Sequence, residues 1–199
     1  GPEAASLHLL PTLWFRNTWS WNGREPKPSL HRLDGTPLTA VETNHHKLGE
    51  RRLYCEGTPE LLFTENETNH GRLNGVPNGS HYVKDGINDA VLHGVKGAVN
   101  PAQTGTKVAA HYPLTVLPGE TTTVRLRFTL PNLPVAEDAL LTSDFDAVFA
   151  DRQREADEFY TTVIPADLST DAKKVMRQGF GGLLWSKQFY HYVVKDWLD

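Results

Sequence analysis

The chain has 199 residues, a net charge of -4 and a pI near 6.1, with 39% hydrophobic and 22% charged residues. That balance excludes a disordered chain, and it argues against nucleic acid as a partner, because neutralising phosphates takes clustered Lys and Arg. A single cysteine, Cys55, excludes an internal disulfide and favours a reducing, cytoplasmic setting. With no basic leader and no apolar run of membrane-spanning length, neither a signal peptide nor a membrane partner is expected.

From Ser6 to about Leu130 the pattern is one of strands and turns, supported by 16 Gly and 13 Pro residues along the chain. "LHLLPTLWF" alternates weakly, and Pro11 suits a bulge or an edge strand. "NTWSWNG" puts Trp19 and Trp21 on one face if it is extended. "RRLYCEG" and "ELLFTE", joined by Gly57-Thr58-Pro59, predict a hairpin. Cys55 falls inside the first of these and reads as a small buried hydrophobe.

Residues 66–111 are polar and glycine-rich and read as a long loop insertion, with a short helix somewhere within it. Asn66 and Asn78 begin glycosylation sequons, which are taken as chance matches. Next, "TTTVRLRFTLP" alternates cleanly: Val124, Leu126, Phe128 and Leu130 face one way and Arg125, Arg127 and Thr129 the other. The turn signal "LPGE" makes "HYPLTVL" its expected antiparallel neighbour. Sheets with one face buried, as in a sandwich, follow from this alternation.

From Ser143 the period changes to that of a helix. "SDFDAVFADRQREADEFYTTV" is amphipathic, Ser143 and Asp146 have capping-box spacing, and Pro165 ends the run. A second helix is expected from Ser169, with Asp171 in its first turn, running on toward Trp197. Met176, Phe180, Leu183, Leu184, Val193 and Trp197 spread its apolar surface round most of the circumference. Gly179, Gly181 and Gly182 leave room for another backbone or a ligand. A helix so apolar belongs inside a larger helical body. Self-association through this terminal helix is the alternative expectation.

Five stretches carry a likeness to known sequences: "LPTLWFRNTWSW", "LLFTENETN", "GVPNGSHYVKDGINDAVLHG", "AVNPAQTGTKVAAHY" and "GFGGLLWSKQFYHYVVKDWLD". Together they resemble the bacterial glucosidase-like proteins of glycoside hydrolase family 63, related to processing α-glucosidase I. The resemblance implies a mostly β fold, with an antiparallel β-sandwich region cut short at Gly1. A helical linker and the first helix of an (α/α) toroid would follow it. The corresponding divisions are residues 1–132, 133–166 and 167–199.

The resemblance also implies inverting hydrolysis of α-glucosides or related oligosaccharides, without a cofactor. The acid and the base of that family lie on toroid segments beyond Asp199, so no catalytic residue is assigned and the chain alone is expected to be inactive. Trp185, Gln188 and Tyr192 are candidate sugar contacts: aromatic faces cover pyranose C–H groups and amides bond to hydroxyls. Lys107 and His111, at the end of the long loop, are candidates for the mouth of the intact site. Helix and loop packing are the competing assignments for all five. Trp14, Trp19 and Trp21 raise the alternative of a non-catalytic carbohydrate-binding or assembly module. No metal site is expected, since neighbouring His45 and His46 would point oppositely on a strand and no His-x-His run occurs.

Overall fold

The computed structural model describes residues 1–22, 25–186 and 194–198, without the side chains of Trp21, Asn22, Asp196 and Trp197. Antiparallel sheets, with short helices between their strands, come first and longer helices follow. The chain forms two compact units, Gly1–Asp146 and Ala147–Asp199. The unit that holds the sheets therefore runs past residue 132, the end expected from the sequence.

Strands β1 (Ala5–Leu9) and β2 (Thr12–Trp14) lie on either side of Pro11. After them come a short helix α1 (Trp19–Asn22) and strands β3 (Ser29–Leu33), β4 (Thr39–His45), β5 (Gly49–Cys55) and β6 (Glu60–Thr64). The polar segment then folds into α2 (His70–Asn74), α3 (Gly86–His93) and a 3-10 turn at Lys96–Ala98. Strands β7 (Thr104–Gly105), β8 (Lys107–Val116) and β9 (Leu126–Thr129) complete the sheets.

In the first sheet, β8 is flanked by β6 on one side and by β1 and β2 on the other. The second sheet runs β7-β3-β4-β5-β9. Pro11 introduces no bulge. Leu9 pairs with Tyr112 and Thr12 with Ala109, so the register holds across it, and the Ala110 amide donates to the Pro11 carbonyl at 3.0 Å. Proline removes a donor from this strand only, which an edge position tolerates.

Side-chain alternation builds three cores. Leu30, Val41 and Cys55 from the second sheet meet Leu61, Phe63, Val108 and Ala110 from the first. Residues one step along point to the outer faces. Ala40 and Tyr54 pack under Leu140 and Leu141, while Leu62 and Ala109 pack under Ile87 of α3. Both sheets are thus partly covered outside as well as between. Where the chain passes from β7 to β8 it changes sheet, and a Cβ on Gly105 would lie 2.3 Å from the Thr64 carbonyl oxygen. Only glycine fits that crossing.

Several pairings differ from those expected. β5 and β6 do not form a hairpin: β5 pairs with β4 and β9, and β6 crosses to pair with β8. Leu61, Leu62 and Phe63 are all buried, so β6 must be covered on both faces. β9 likewise pairs with β5, not with β8. Its strand core shrinks to Leu126–Thr129, with Phe128 and Leu130 about half exposed. Arg127, expected to face water, instead reaches the Leu140 carbonyl and the Asp144 carboxylate, and pins residues 140–144 to the sheet. Trp19 and Trp21 lie in a helical turn rather than a strand, because the Asn17 side chain accepts from the Ser20 amide at 3.2 Å and starts a turn there. His45 and His46 stack, with ring centroids 4.6 Å apart, since β4 ends at His45.

Helix α4 spans Ser143–Val163, as its periodicity predicts. Its first internal bond runs from the Asp146 amide to the Thr142 carbonyl, so Thr142 rather than Ser143 occupies the cap position. Ion pairs Arg154–Asp151 and Arg154–Glu158, both 3.0 Å, line its exposed side. Helix α5 (Thr170–Trp185) is capped by Ser169, whose hydroxyl accepts from the Ala172 amide at 3.2 Å. It ends at Trp185, and α6 (Val194–Leu198) is a separate short helix. Within the helical unit Arg177 stacks 4.6 Å above the Tyr160 ring and pairs with Asp157 at 2.5 Å. No described residue of α4 or α5 is buried. Among the described residues no helix is long and apolar enough to cross a membrane.

Candidate functional site

The most heavily built polar region lies where β2 and α1 meet the segment after β6. Asn66 fastens the two: its amide donates to the Phe15 carbonyl at 2.8 Å and its backbone N–H to the Thr106 hydroxyl at 2.8 Å. Two carboxylates flank it. Glu65 accepts from the Thr106 hydroxyl at 2.7 Å, and Glu67 accepts from the Trp19 indole at 3.1 Å. Lys27 bridges both, at 3.0 Å and 3.5 Å. Backbone bonds between Glu65 and Tyr82 and between Lys84 and Glu67 close the loop on itself. Side chains of this kind compete with regular backbone pairing, which is why the segment folds into locked loops and short helices.

A second network stands behind the first. Arg72 of α2 holds Asp85 at 2.7 Å and Asp89 at 2.6 Å, and Asn69 caps α2 while its amide bonds Asp85. Gly86 lets α3 sit against the 3-10 turn, since a Cβ there would lie 2.1 Å from the Ala98 carbonyl oxygen.

Between these supports opens a cleft of about 610 Å³, lined by Arg16, Asn17, Ser20, Asn66, Glu67, Thr68, His70, Gly79 and Lys84. Its size is within the range of small-molecule pockets. Amide, hydroxyl, ammonium and guanidinium groups supply donors and acceptors on several sides. Such a lining suits a molecule rich in hydroxyls. Glu65 and Glu67 are already held by Lys27, Thr106 and Trp19, so they serve as anchors for the lining.

Of the residues picked out from the sequence, Lys107 lies beside this cleft. It is in strand β8, not in a loop, between Trp14 and Thr64, and its ammonium donates to the Lys84 carbonyl at 3.3 Å. Burial holds its pKa below the usual lysine value, with the nearby Lys84 charge acting the same way. His111 is also in β8, four residues further on and about 13 Å away along a strand. It contacts His8 instead.

Trp185 ends α5 at 92% exposure, whereas Gln188 and Tyr192 fall outside the described residues. Trp14 is half exposed and Trp19 is buried against Glu67. Among the described residues, and apart from the helix's own backbone, nothing lies within 4 Å of a Cβ built on Gly179, Gly181 or Gly182. Cys55 is fully buried, and that burial pushes its thiol up to about 11, so it packs and does not react.

Sequence reading missed Arg16, Asn17, Ser20, Thr68 and Lys84. The usable signal was the density of Asn, Asp, Thr and Ser around 66–89 and at 17–20, all residues that bond backbone locally.

No family model matches the chain, and no solved structure matches it. The chain is similar to the uncharacterized protein YMR196W of Saccharomyces cerevisiae, with 34% identity over 231 residues covering 99% of the chain. It spans about a fifth (21%) of that relative's length.

Proposed function

We propose that this chain is part of an inverting glycoside hydrolase of the family 63 type, acting on α-glucosides or related oligosaccharides. In this reading the sheets form the family's sandwich region, α4 is the linker, and α5 begins the (α/α) toroid. The acid that protonates the leaving oxygen and the carboxylate that activates water stand on other toroid segments of a longer polypeptide. The cleft at Asn66 and Lys84 carries the proposal, because its anchored amides, hydroxyls and cations suit a sugar-rich ligand. Trp185, Gln188 and Tyr192 are proposed as sugar contacts of the same longer protein, through aromatic stacking and amide hydrogen bonds. The length of the yeast relative agrees with a protein several times longer.

The test is hydrolysis by such a longer protein, followed by proton NMR. An α-glucoside should yield β-glucose as the first product. Release of the α-anomer, or full turnover by the 199-residue chain alone, would sink the reading. Asn66→Ala in the longer protein should weaken substrate binding by about tenfold, because it removes the hydrogen bond to the Phe15 carbonyl that holds the two sides of the cleft together.

A second reading has its own observation. Leu183, Leu184 and Trp185 are 73%, 68% and 92% exposed, and such a surface also fits an assembly or sugar-binding module. Activity of the longer protein separates the two: turnover of α-glucosides favours the enzyme part, and binding of glucose oligosaccharides without turnover favours the module.

A further inference from the structure

One row of side chains on the outer face of the first sheet has no part in the proposed hydrolase. Glu60 of β6 is paired directly across from His111 of β8. On the other side of β8, His8 of β1 is paired with Pro113 and so stands diagonal to His111, on the same face. Its Nδ1 lies 2.8 Å from His111 Nε2, with the ring centroids 5.0 Å apart and the rings inclined at 36°. His111 Nδ1 in turn lies 3.9 Å from the Glu60 carboxylate. The three groups come from positions 8, 60 and 111, which is why sequence spacing gave no hint of them.

We propose that His8 and His111 chelate one divalent transition-metal ion through His8 Nδ1 and His111 Nε2. The bond lengths support it. Imidazole nitrogens bind such ions at about 2.0–2.1 Å, so two ligands at a right angle stand about 2.9 Å apart, and at a tetrahedral angle about 3.3 Å. The observed separation matches the right angle of a tetragonal Cu(II) or Ni(II) site once both rings tilt so that their lone pairs converge on the ion, whereas tetrahedral zinc needs the rings to part as well. In the absence of metal a single proton lies between the two nitrogens, near the line that joins them.

Glu60 is the positioning residue. A carboxylate facing His111 Nδ1 favours the tautomer with its proton there, which leaves the Nε2 lone pair for the metal. Two hydrogen-bonded strands fix both ligands, and the exposed His8 side leaves the site open to solvent. Among the described residues no cluster of three or more metal-ligating side chains occurs, so the remaining positions belong to water or an added ligand. The ion would tie the edge strand β1 to β8.

Isothermal titration of the 199-residue chain with copper(II) or nickel(II) chloride tests this. One ion should bind per chain, copper more tightly than nickel, and the unfolding temperature should rise with metal concentration. His8→Ala and His111→Ala should each weaken binding at least tenfold, and Glu60→Gln by about tenfold. A His45→Ala/His46→Ala double variant should bind as the unchanged chain does, and circular dichroism should show every variant folded. Electron paramagnetic resonance of the copper complex should report two imidazole nitrogens. Unchanged affinity in His8→Ala, loss of binding in the His45/His46 variant, or a spectrum with fewer than two nitrogens would overturn the proposal.

Discussion

Phe63 and Leu184 are both large apolar residues in regular structure, yet Phe63 is fully buried and Leu184 is 68% exposed. The contrast extends to the units that hold them. In Gly1–Asp146, side chains alternate into three cores, one between the sheets and one on each outer face. In Ala147–Asp199 the helices carry a comparable apolar content, but no described residue of α4 or α5 is buried. Alternation lets a strand contribute to two cores at once, so a few strands enclose one another. A pair of helices has only one mutual seam, and an apolar surface wider than that seam stays in water. The sheet unit is stabilised by burial, whereas the helical unit depends on caps, ion pairs and the contacts of Tyr160, Arg177 and Phe180.

The widest gap should appear on truncation. Phe63→Ala is expected to cost about 3–5 kcal/mol in urea unfolding, while Leu184→Ala should stay within about 0.5 kcal/mol. Equal losses would erase the distinction between the units. Crowding the sheet crossing comes next: Gly105→Ala should cost about 1–3 kcal/mol, because the obstructing Thr64 carbonyl is backbone and cannot swing aside. In the opposite direction, Thr43 has a buried hydroxyl with no hydrogen-bond partner. Thr43→Val should therefore stabilise the sheet unit by about 1 kcal/mol, read as a higher denaturation midpoint.

The helical unit should respond to a different class of change. Ser169→Ala removes the cap of α5 and should cost about 1 kcal/mol, seen as faster amide exchange in its first turn with the sheets unaffected.

The smallest effects are those of pH. Burial holds the His45 pKa below the usual 6.5, so its contribution is complete above that value and declines as pH falls below it. The Lys47 ammonium, helped by the Thr18 hydroxyl, holds Glu25 down to about 2 against an ordinary 4.5. Its contribution is present above pH 4.5 and is lost between 4.5 and about 2. Denaturation midpoints measured against pH should show both declines, and Lys47→Ala should flatten the lower one. A midpoint that rose on acidification would contradict both assignments.

What could be read in advance was local. The span of α4, the break at Pro165 and the start of α5 near Ser169 each depend on a few neighbouring residues, and each appears where the sequence puts it. Strand partners were another matter. Alternation told which side of "TTTVRLRFTLP" is apolar, but β9 could have closed on β8 or on β5 with the same pattern. The choice was made by where Leu126 could join the core and where Arg127 could find Asp144. The cleft was hidden for a related reason: Asn17 and Lys84 become neighbours only through the Asn66 bond to Phe15 and the Lys84 bond to Glu67.

The amino-acid order by itself determined the change from strands to helices near Ser143, the span of α4 and the start of α5, since hydrogen bonding along the chain and side-chain period decide these within a few residues. Tertiary structure alone decided which strands pair, which arginine leaves the water, and that His8 meets His111, because contacts between distant positions are chosen by the joint packing of all the cores. That packing is cooperative, so no short stretch of sequence contains it.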